Sequence, residues 1–304
     1  MKKAIFTGCA TALITPFTND TVDYAAFRHL IDVQLEAGIN AFVVCGTTGE
    51  AATMSYAERM RTIEAAVDHV NGRVPVIAGT GSNSTEIAMA YSRDAERIGA
   101  DALLVVTPYY NKATQRGLIR HYEAVADAVN TPLILYNVPS RTGVSCTAET
   151  YASLANHPNI TGVKEASGNL SLVQKTRELC PHDFYIWSGN DDETAPIMLL
   201  GGVGVVSVVS NVAPKEMVAL TDACINGEFQ SAGKQQLRLR KLCDILFREV
   251  NPIPVKTAMS LMGYCSDILR LPLCPTEENN RLELEQILRS YALLTPNDCE
   301  NADK

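Results

Sequence analysis

Eight short apolar runs, each followed by a turn and then a helix-spaced pattern, constrain the fold of this chain more than any other feature. They are Cys9–Ile14, Ala41–Cys45, Pro75–Gly79, Ala102–Val106, Pro132–Tyr136, Ile160–Lys164, Phe184–Trp187 and Gly204–Val208. Continuous apolarity, rather than alternation, is the mark of parallel strands covered on both faces. Between the runs lie helices. Phe27, Leu30, Ile31 and Leu35 form a turn-spaced stripe, and Ser55-x-x-Glu58 is a capping box. Eight strand–helix repeats in about 225 residues predict an α/β protein with a closed (β/α)8 TIM barrel. A doubly wound open sheet is the alternative, but no Gly-x-Gly-x-x-Gly follows the first run.

The strands stop at about Phe229. Helices are predicted at 230–249, 254–262 and 277–294, broken by Asn251-Pro252-Ile253-Pro254 and Leu271-Pro272-Leu273-Cys274-Pro275. The chain thus divides into a catalytic barrel, 1–228, and a C-terminal three-helix extension, 229–304, suited to packing and self-association. The tail, 295–304, is polar and expected to fray.

With 46% hydrophobic and 20% charged residues among 304, the chain has the make-up of a soluble globular protein. A net charge of −8 and the lack of a basic tract argue against nucleic acid or anionic membrane as a partner. Nine cysteines, an odd number without a Cys-x-x-Cys pair, point to reduced thiols and a cytoplasmic location. The start, Met1-Lys2-Lys3-Ala4-Ile5-Phe6-Thr7-Gly8-Cys9, imitates a lipoprotein signal, but its apolar stretch is too short for one. No run approaches the ~20 apolar residues that span a bilayer.

In a parallel barrel the working residues stand at the carboxyl ends of the strands. Polar clusters fall there: Gly46-Thr47-Thr48-Gly49-Glu50, Gly79-Thr80-Gly81-Ser82-Asn83, Thr107-Pro108-Tyr109-Tyr110-Asn111, Tyr136 to Gly143, Lys164, Ser188 to Asp192 and Ser207 to Asn211. Lys164 is the most telling. An ammonium at the end of an apolar strand either finds a carboxylate, with Glu165 the nearest, or sheds its proton and becomes a nucleophile for carbonyl carbon. Gly46–Gly49 reads as a tight turn or as an amide nest for a carboxylate. Arg141 reads as a solvated loop charge or as a bidentate clamp on a carboxylate. Tyr136, Tyr109 and Tyr110 read as packing aromatics or as site residues. Asp191 and Asp192 are expected to cap the next helix. Gly201-Gly202-Val203-Gly204 is expected to give close packing rather than a phosphate site. The five histidines lack metal-ligand spacing, so no metal is expected.

Gly46–Glu50, Thr107–Asn111, Tyr136–Gly143 and Gly162–Asn169 together resemble the signature segments of the dihydrodipicolinate synthase family, within the N-acetylneuraminate lyase superfamily of class I aldolases. The resemblance runs in order from about residue 6 to 295. It implies condensation of pyruvate with L-aspartate 4-semialdehyde to 4-hydroxy-tetrahydrodipicolinate, on the way to diaminopimelate and lysine. It implies that Lys164 forms an imine with pyruvate and that Thr47 and Thr48 hold the pyruvate carboxylate. Tyr136 would donate and accept protons, linked through Thr47 to Tyr110 of a neighbouring subunit. Arg141 would receive the semialdehyde carboxylate, and Gly189 and Val206 would line the pyruvate pocket. No organic cofactor is expected, because the lysine is itself the electron sink. The family is most often a homotetramer, a dimer of dimers, and a homodimer is the alternative.

Sister aldolases acting on N-acetylneuraminate or 2-keto-3-deoxy sugar acids share Lys164, Tyr136 and the Gly-Thr-Thr-Gly turn. Arg141 separates the readings, since it suits a second carboxylate. A non-catalytic keto-acid-binding barrel is a further alternative. Many synthases are inhibited by lysine across the tight dimer contact, where Ala51, Ala52, Asn83 and Tyr109 are compatible with such a site. Tyr56 stands where a histidine is expected and Ile87 where a glutamate is. Glu86 lies one residue early, turned ~100° around the helix. The implied lysine sensitivity is weak or nil.

Overall fold

The computed structural model describes residues 1–19 and 21–294. Eight parallel strands close into a barrel: β1 (Gly8–Ala12), β2 (Ala41–Val44), β3 (Val76–Gly79), β4 (Ala102–Val106), β5 (Leu133–Asn137), β6 (Ile160–Glu165), β7 (Tyr185–Ser188) and β8 (Gly204–Ser207). β8 returns to pair with β1, so the sheet has no free edge. All eight predicted runs are strands; β4 keeps its predicted bounds, and the ends of the others shift by one or two residues. β1 stops at Ala12, because the Ile14 N–H turns to the Asn211 side chain at 3.2 Å. β2 stops before Cys45, whose φ of 53° is left-handed. β8 stops at Ser207, because the Val208 N–H donates to Asp191 Oδ2 at 2.9 Å.

Alternation along each strand sorts the core into two layers. Ala12, Val43, Ile77, Leu104, Ile134, Trp187 and Val206 belong to the cluster that fills the lumen. A larger cluster lies between the barrel and its helices. Small residues let the strands crowd together. A Cβ on Gly204 would lie 2.1 Å from the Gly8 carbonyl oxygen, and one on Gly202 would lie 2.8 Å from that of Ile197. The close-packing reading of this glycine segment therefore holds.

Helix Tyr56–Val70 starts with the predicted box: Ser55 Oγ accepts from Glu58 N at 3.3 Å, and Glu58 Oε2 from Ser55 N at 2.9 Å. The C-terminal extension departs from three helices. The first is divided at Leu239 into Phe229–Arg238 and Arg240–Leu246, followed by Ile253–Leu261 and Glu278–Ser290. At the break the Tyr291 hydroxyl donates to the Arg238 carbonyl, an intrusion of the kind that interrupts a helical ladder. The tail expected to fray lies outside the described residues. Among the described residues no helix is long and apolar enough to cross a membrane.

The extension is fastened to the barrel by Arg270, which grips the Glu58 carboxylate with two parallel bonds, 3.0 Å and 2.6 Å. Arg270 above all, then the Ser55 donors, lower the Glu58 pKa from 4.5 to about 2. A depressed carboxylate stabilises the fold above its unfolded pKa and loses that contribution as pH falls through the folded value. In urea unfolding, the margin of the parent protein over Glu58→Gln should hold above pH 5, shrink between about 4.5 and 2, and vanish below. A margin independent of pH would contradict this assignment.

Candidate active site

The tips of β5 and β6 are in register, Tyr136 opposite Lys164 and Asn137 opposite Glu165. Alternation sends the first pair into the lumen and the second outward, towards the helices. Lys164 is buried, and its Nζ lies 4.3 Å from the centre of the Tyr136 ring. The predicted alternative, pairing with Glu165, does not form. The Glu165 carboxylate instead accepts from Tyr151 Oη at 2.8 Å, Ser167 N at 2.9 Å and Asn137 Nδ2 at 3.0 Å. Burial raises the Glu165 pKa against these donors. Among the described residues Lys164 has no ion-pair partner.

Gly189 gives the lysine room. A Cβ there would lie 3.1 Å from Lys164 Cε and 2.6 Å from Ala166 Cβ. Val206, fully buried on β8, belongs to the same lumen cluster. Asp191 does not cap a helix. Its buried carboxylate accepts from Ser207 Oγ and from Val208 N and Val209 N at 2.9 and 3.2 Å, tying the end of β7 to that of β8. It lies inside this bond network because the β7 loop turns inward, an orientation that local sequence does not encode.

A cavity of about 340 Å³ opens above the lumen, lined among others by Thr47, Tyr136, Arg141, Asn251, Arg59 and Tyr109. Lys164 does not line it directly; its amine rests against Tyr136, which does. In the Gly46–Glu50 turn, Thr47 is exposed and Thr48 buried. Cys45 and Glu50 bracket the turn with left-handed backbones, both at φ 53°. Thr48 Oγ1 accepts from Asn251 Nδ2 at 3.0 Å, while Arg141 Nη2 donates to the Asn251 carbonyl at 3.0 Å. One residue of the extension thus touches both a candidate carboxylate binder and the candidate clamp.

Glu50 and Lys256 form an ion pair of 2.5 Å with no exposed side-chain surface on either member. The other Glu50 oxygen accepts from Arg270 N at 3.2 Å, and Lys256 Nζ lies 4.0 Å from the Phe17 ring centre. Burial lowers the Lys256 pKa, with Glu50 opposing. Arg59 is also buried. Its guanidinium donates to the Gly79 carbonyl and stacks on Tyr91 at 4.4 Å, with no ion pair among the described residues. Asn251, Lys256 and Arg59 did not emerge from sequence reasoning. For Lys256 the signal was there: a lone lysine in the apolar run Ile253 to Leu261, the same pattern that marks Lys164.

Tyr110 is 90% exposed with φ 71° and does not reach the cavity of its own chain, so Thr47, Tyr110 and Tyr136 are not linked within one copy. Of the residues considered for lysine binding, Ala51, Ala52 and Tyr109 share the cavity. The Tyr56 hydroxyl donates to Asp94, the Asn83 carbonyl accepts from Asn111 Nδ2 at 2.9 Å, and Ile87 stands half-exposed. Among the described residues no group of three or more His, Cys, Asp or Glu could hold a metal ion.

A closed eight-strand barrel with a buried lysine at the tip of β6, opposite a tyrosine and without an ion pair among the described residues, defines a lyase of the aldolase type. The chain belongs to the dihydrodipicolinate synthetase family, which matches residues 5–291. A 4-hydroxy-tetrahydrodipicolinate synthase of Geobacter sulfurreducens is 50% identical over 290 residues, 95% of this chain and all of that one. The solved dihydrodipicolinate synthase of Acinetobacter baumannii, chloride-inhibited and complexed with pyruvate, aligns with a TM-score of 0.93 at 42% identity, covering 95% of this chain and 99% of that one. The enzyme from Cyanidioschyzon merolae with lysine bound aligns at 0.93 and 39%, covering 96% and 100%.

Removing one member of a buried ion pair strands the other charge at a cost of ~3–5 kcal/mol. Lys256→Met should therefore lower the urea midpoint sharply, and Glu50→Gln/Lys256→Met should recover part of the loss. A double variant as unstable as the sum of the two single ones would rule out coupling across the pair.

Proposed function

We propose that this chain condenses pyruvate with L-aspartate 4-semialdehyde through an imine on Lys164, giving 4-hydroxy-tetrahydrodipicolinate for diaminopimelate and lysine synthesis. The observation that carries the reading is Lys164 itself, buried, without an ion pair among the described residues, and facing Tyr136 at the mouth of the barrel. The Lys164 amine adds to the C2 carbonyl of pyruvate, and the resulting hydroxyl takes up a proton and leaves as water, forming an iminium. The positive nitrogen acidifies the adjacent methyl group, whose proton passes to Tyr136. The resulting enamine then attacks the aldehyde carbon of the second substrate, whose oxygen takes the proton back from Tyr136; the substrate amino group adds to the restored iminium carbon, closing the ring and displacing Lys164.

A neutral phenol is a poor base alone, so Tyr136 works through hydroxyl neighbours. Thr47 supplies one within the cavity, and Tyr110 of a neighbouring copy supplies the next. Thr47 and Thr48 hold the pyruvate carboxylate, while Gly189 and Val206 shape its pocket. Arg141, anchored on the Asn251 carbonyl, keeps donors for the semialdehyde carboxylate. A second carboxylate favours this substrate over a sugar-type aldehyde.

The proposal includes self-association as a homodimer or as a tetramer of two dimers. Tyr110, Tyr56, Ile87 and Tyr109 expose 90, 51, 45 and 40% of their surface, large side chains that a second copy would cover. It also includes a catalytic barrel at 1–228, with 229–304 serving it by supplying Asn251 and Lys256, and a reducing, cytoplasmic setting suited to thiols such as Cys9 and Cys45. For lysine as an effector the cavity beside Ala51, Ala52 and Tyr109 is ill suited. Tyr56 and Ile87 offer no carboxylate for the lysine amine, and the Arg59 guanidinium lines the same cavity.

Borohydride reduction in the presence of pyruvate should leave a mass adduct that maps to Lys164. Lys164→Ala should form none and lose turnover by at least about a thousandfold; an adduct on another residue would refute the assignment. Lysine at about 1 mM should leave the rate within twofold of the uninhibited value. Half-inhibition well below that concentration would show a working effector site.

A further inference from the structure

We infer that Glu165, together with Asn137 and Tyr151, is a positioning device for the reaction, holding Tyr136 and Lys164 at working distance from outside the barrel. The inference rests on the imine reading above. The two chemical residues face each other across the β5–β6 ladder, and the next residue on each strand repeats the pairing on the opposite face. There Asn137 Nδ2 donates to both Glu165 oxygens, at 3.0 and 3.2 Å. A side-chain clamp therefore sits directly behind the side chain that carries the imine and the one that takes the methyl proton.

The clamp is itself held. Tyr151, fully buried on helix Ala148–Leu154, donates to Glu165 Oε2 at 2.8 Å. Ser167 N donates to Oε1 at 2.9 Å, fixing the chain just beyond Lys164. Asn137 Oδ1 accepts from Cys146 N at 3.1 Å, and Asn137 Nδ2 also reaches Ser145 Oγ at 3.2 Å. Backbone bonds complete the frame: Ala166 N to Asn137 O at 2.9 Å, and Gly189 N to Glu165 O at 2.7 Å. The second of these places Gly189, the residue that makes room for Lys164.

A buried carboxylate that meets only neutral donors is a costly choice if its task is merely to join two strands that backbone bonds already join. What it adds is lateral precision at one rung of the ladder. A displacement of about 1 Å between reacting groups costs up to a hundredfold in rate.

Two measurements separate positioning from folding. Trapping of the pyruvate imine by borohydride needs Lys164 and the pocket that holds pyruvate, but not the transfer of the methyl proton. Deuterium uptake into the pyruvate methyl group, followed by NMR in D2O, also needs the proton acceptor in register. Glu165→Ala should keep adduct formation within about threefold of the parent while slowing deuteration by at least about thirtyfold. Tyr151→Phe, which removes one donor and keeps the ring in the core, should slow deuteration by about fivefold with trapping unchanged. Glu165→Gln should restore both rates to within about threefold, because the Tyr151 hydroxyl can turn to accept from the amide. Trapping and deuteration that fall together in Glu165→Ala and Tyr151→Phe, or deuteration at the parent rate in either, would overturn the inference. Absence of an adduct in the unaltered protein would instead sink the imine reading beneath it.

Discussion

A parallel sheet that closes on itself leaves each strand two places to put its side chains, a narrow lumen and a layer beneath the helices, and it assigns them alternately. Everything at the mouth follows from that division. Lys164 and Glu165 are neighbours in sequence, yet they do not neutralise each other, because one faces the lumen and the other the helices. Tyr136 and Asn137 on the adjoining strand divide the same way, and register places like beside like. An amine next to an acid in the chain thus becomes an amine next to a phenol in space.

The same geometry buries charged side chains, at a desolvation cost. Glu50 leaves the Gly-Thr-Thr-Gly turn in a left-handed conformation and meets Lys256, which arrives from the far end of the chain. Arg270 adds a backbone donor to Glu50, a bidentate grip on Glu58 and a guanidinium over Phe17. Within the cavity, by contrast, Arg59 and Arg141 donate to carbonyls rather than carboxylates. The acid that belongs to the cavity has been taken by the extension. What remains at the mouth is a surplus of cationic donors, an environment that favours ligands bearing carboxylates.

The strands were legible because continuous apolarity over a few residues has one common cause, burial on both faces. Their ends were less so, since Asn211 and Asp191 capture backbone N–H groups that would otherwise extend the ladder, and both come from distant loops. Lys164, Tyr136, Thr47 and Arg141 could be singled out from their places at strand ends. Asp191 was taken for a cap because capping is local chemistry, whereas its actual partners lie across the barrel mouth. The long C-terminal helix was expected to run unbroken, and the Tyr291 hydroxyl that intrudes at Leu239 lies some fifty positions further on. Asn251 looked like a helix breaker and nothing more; its bonds to Thr48 and Arg141 need the extension folded over the mouth.

Sequence alone determined the repeating strand–helix pattern, the closed barrel it implies and the polar character of the strand tips, because these depend on the hydrophobicity of residues close together in the chain. Only the tertiary structure decided which acid meets which base: that Glu50 is consumed by Lys256, that Glu165 turns to Asn137 and Tyr151, and that Lys164 forms no ion pair among the described residues. Ion pairs and hydrogen bonds act over a few ångströms in space and are indifferent to separation along the chain. Their partners are therefore set by where the folded elements meet.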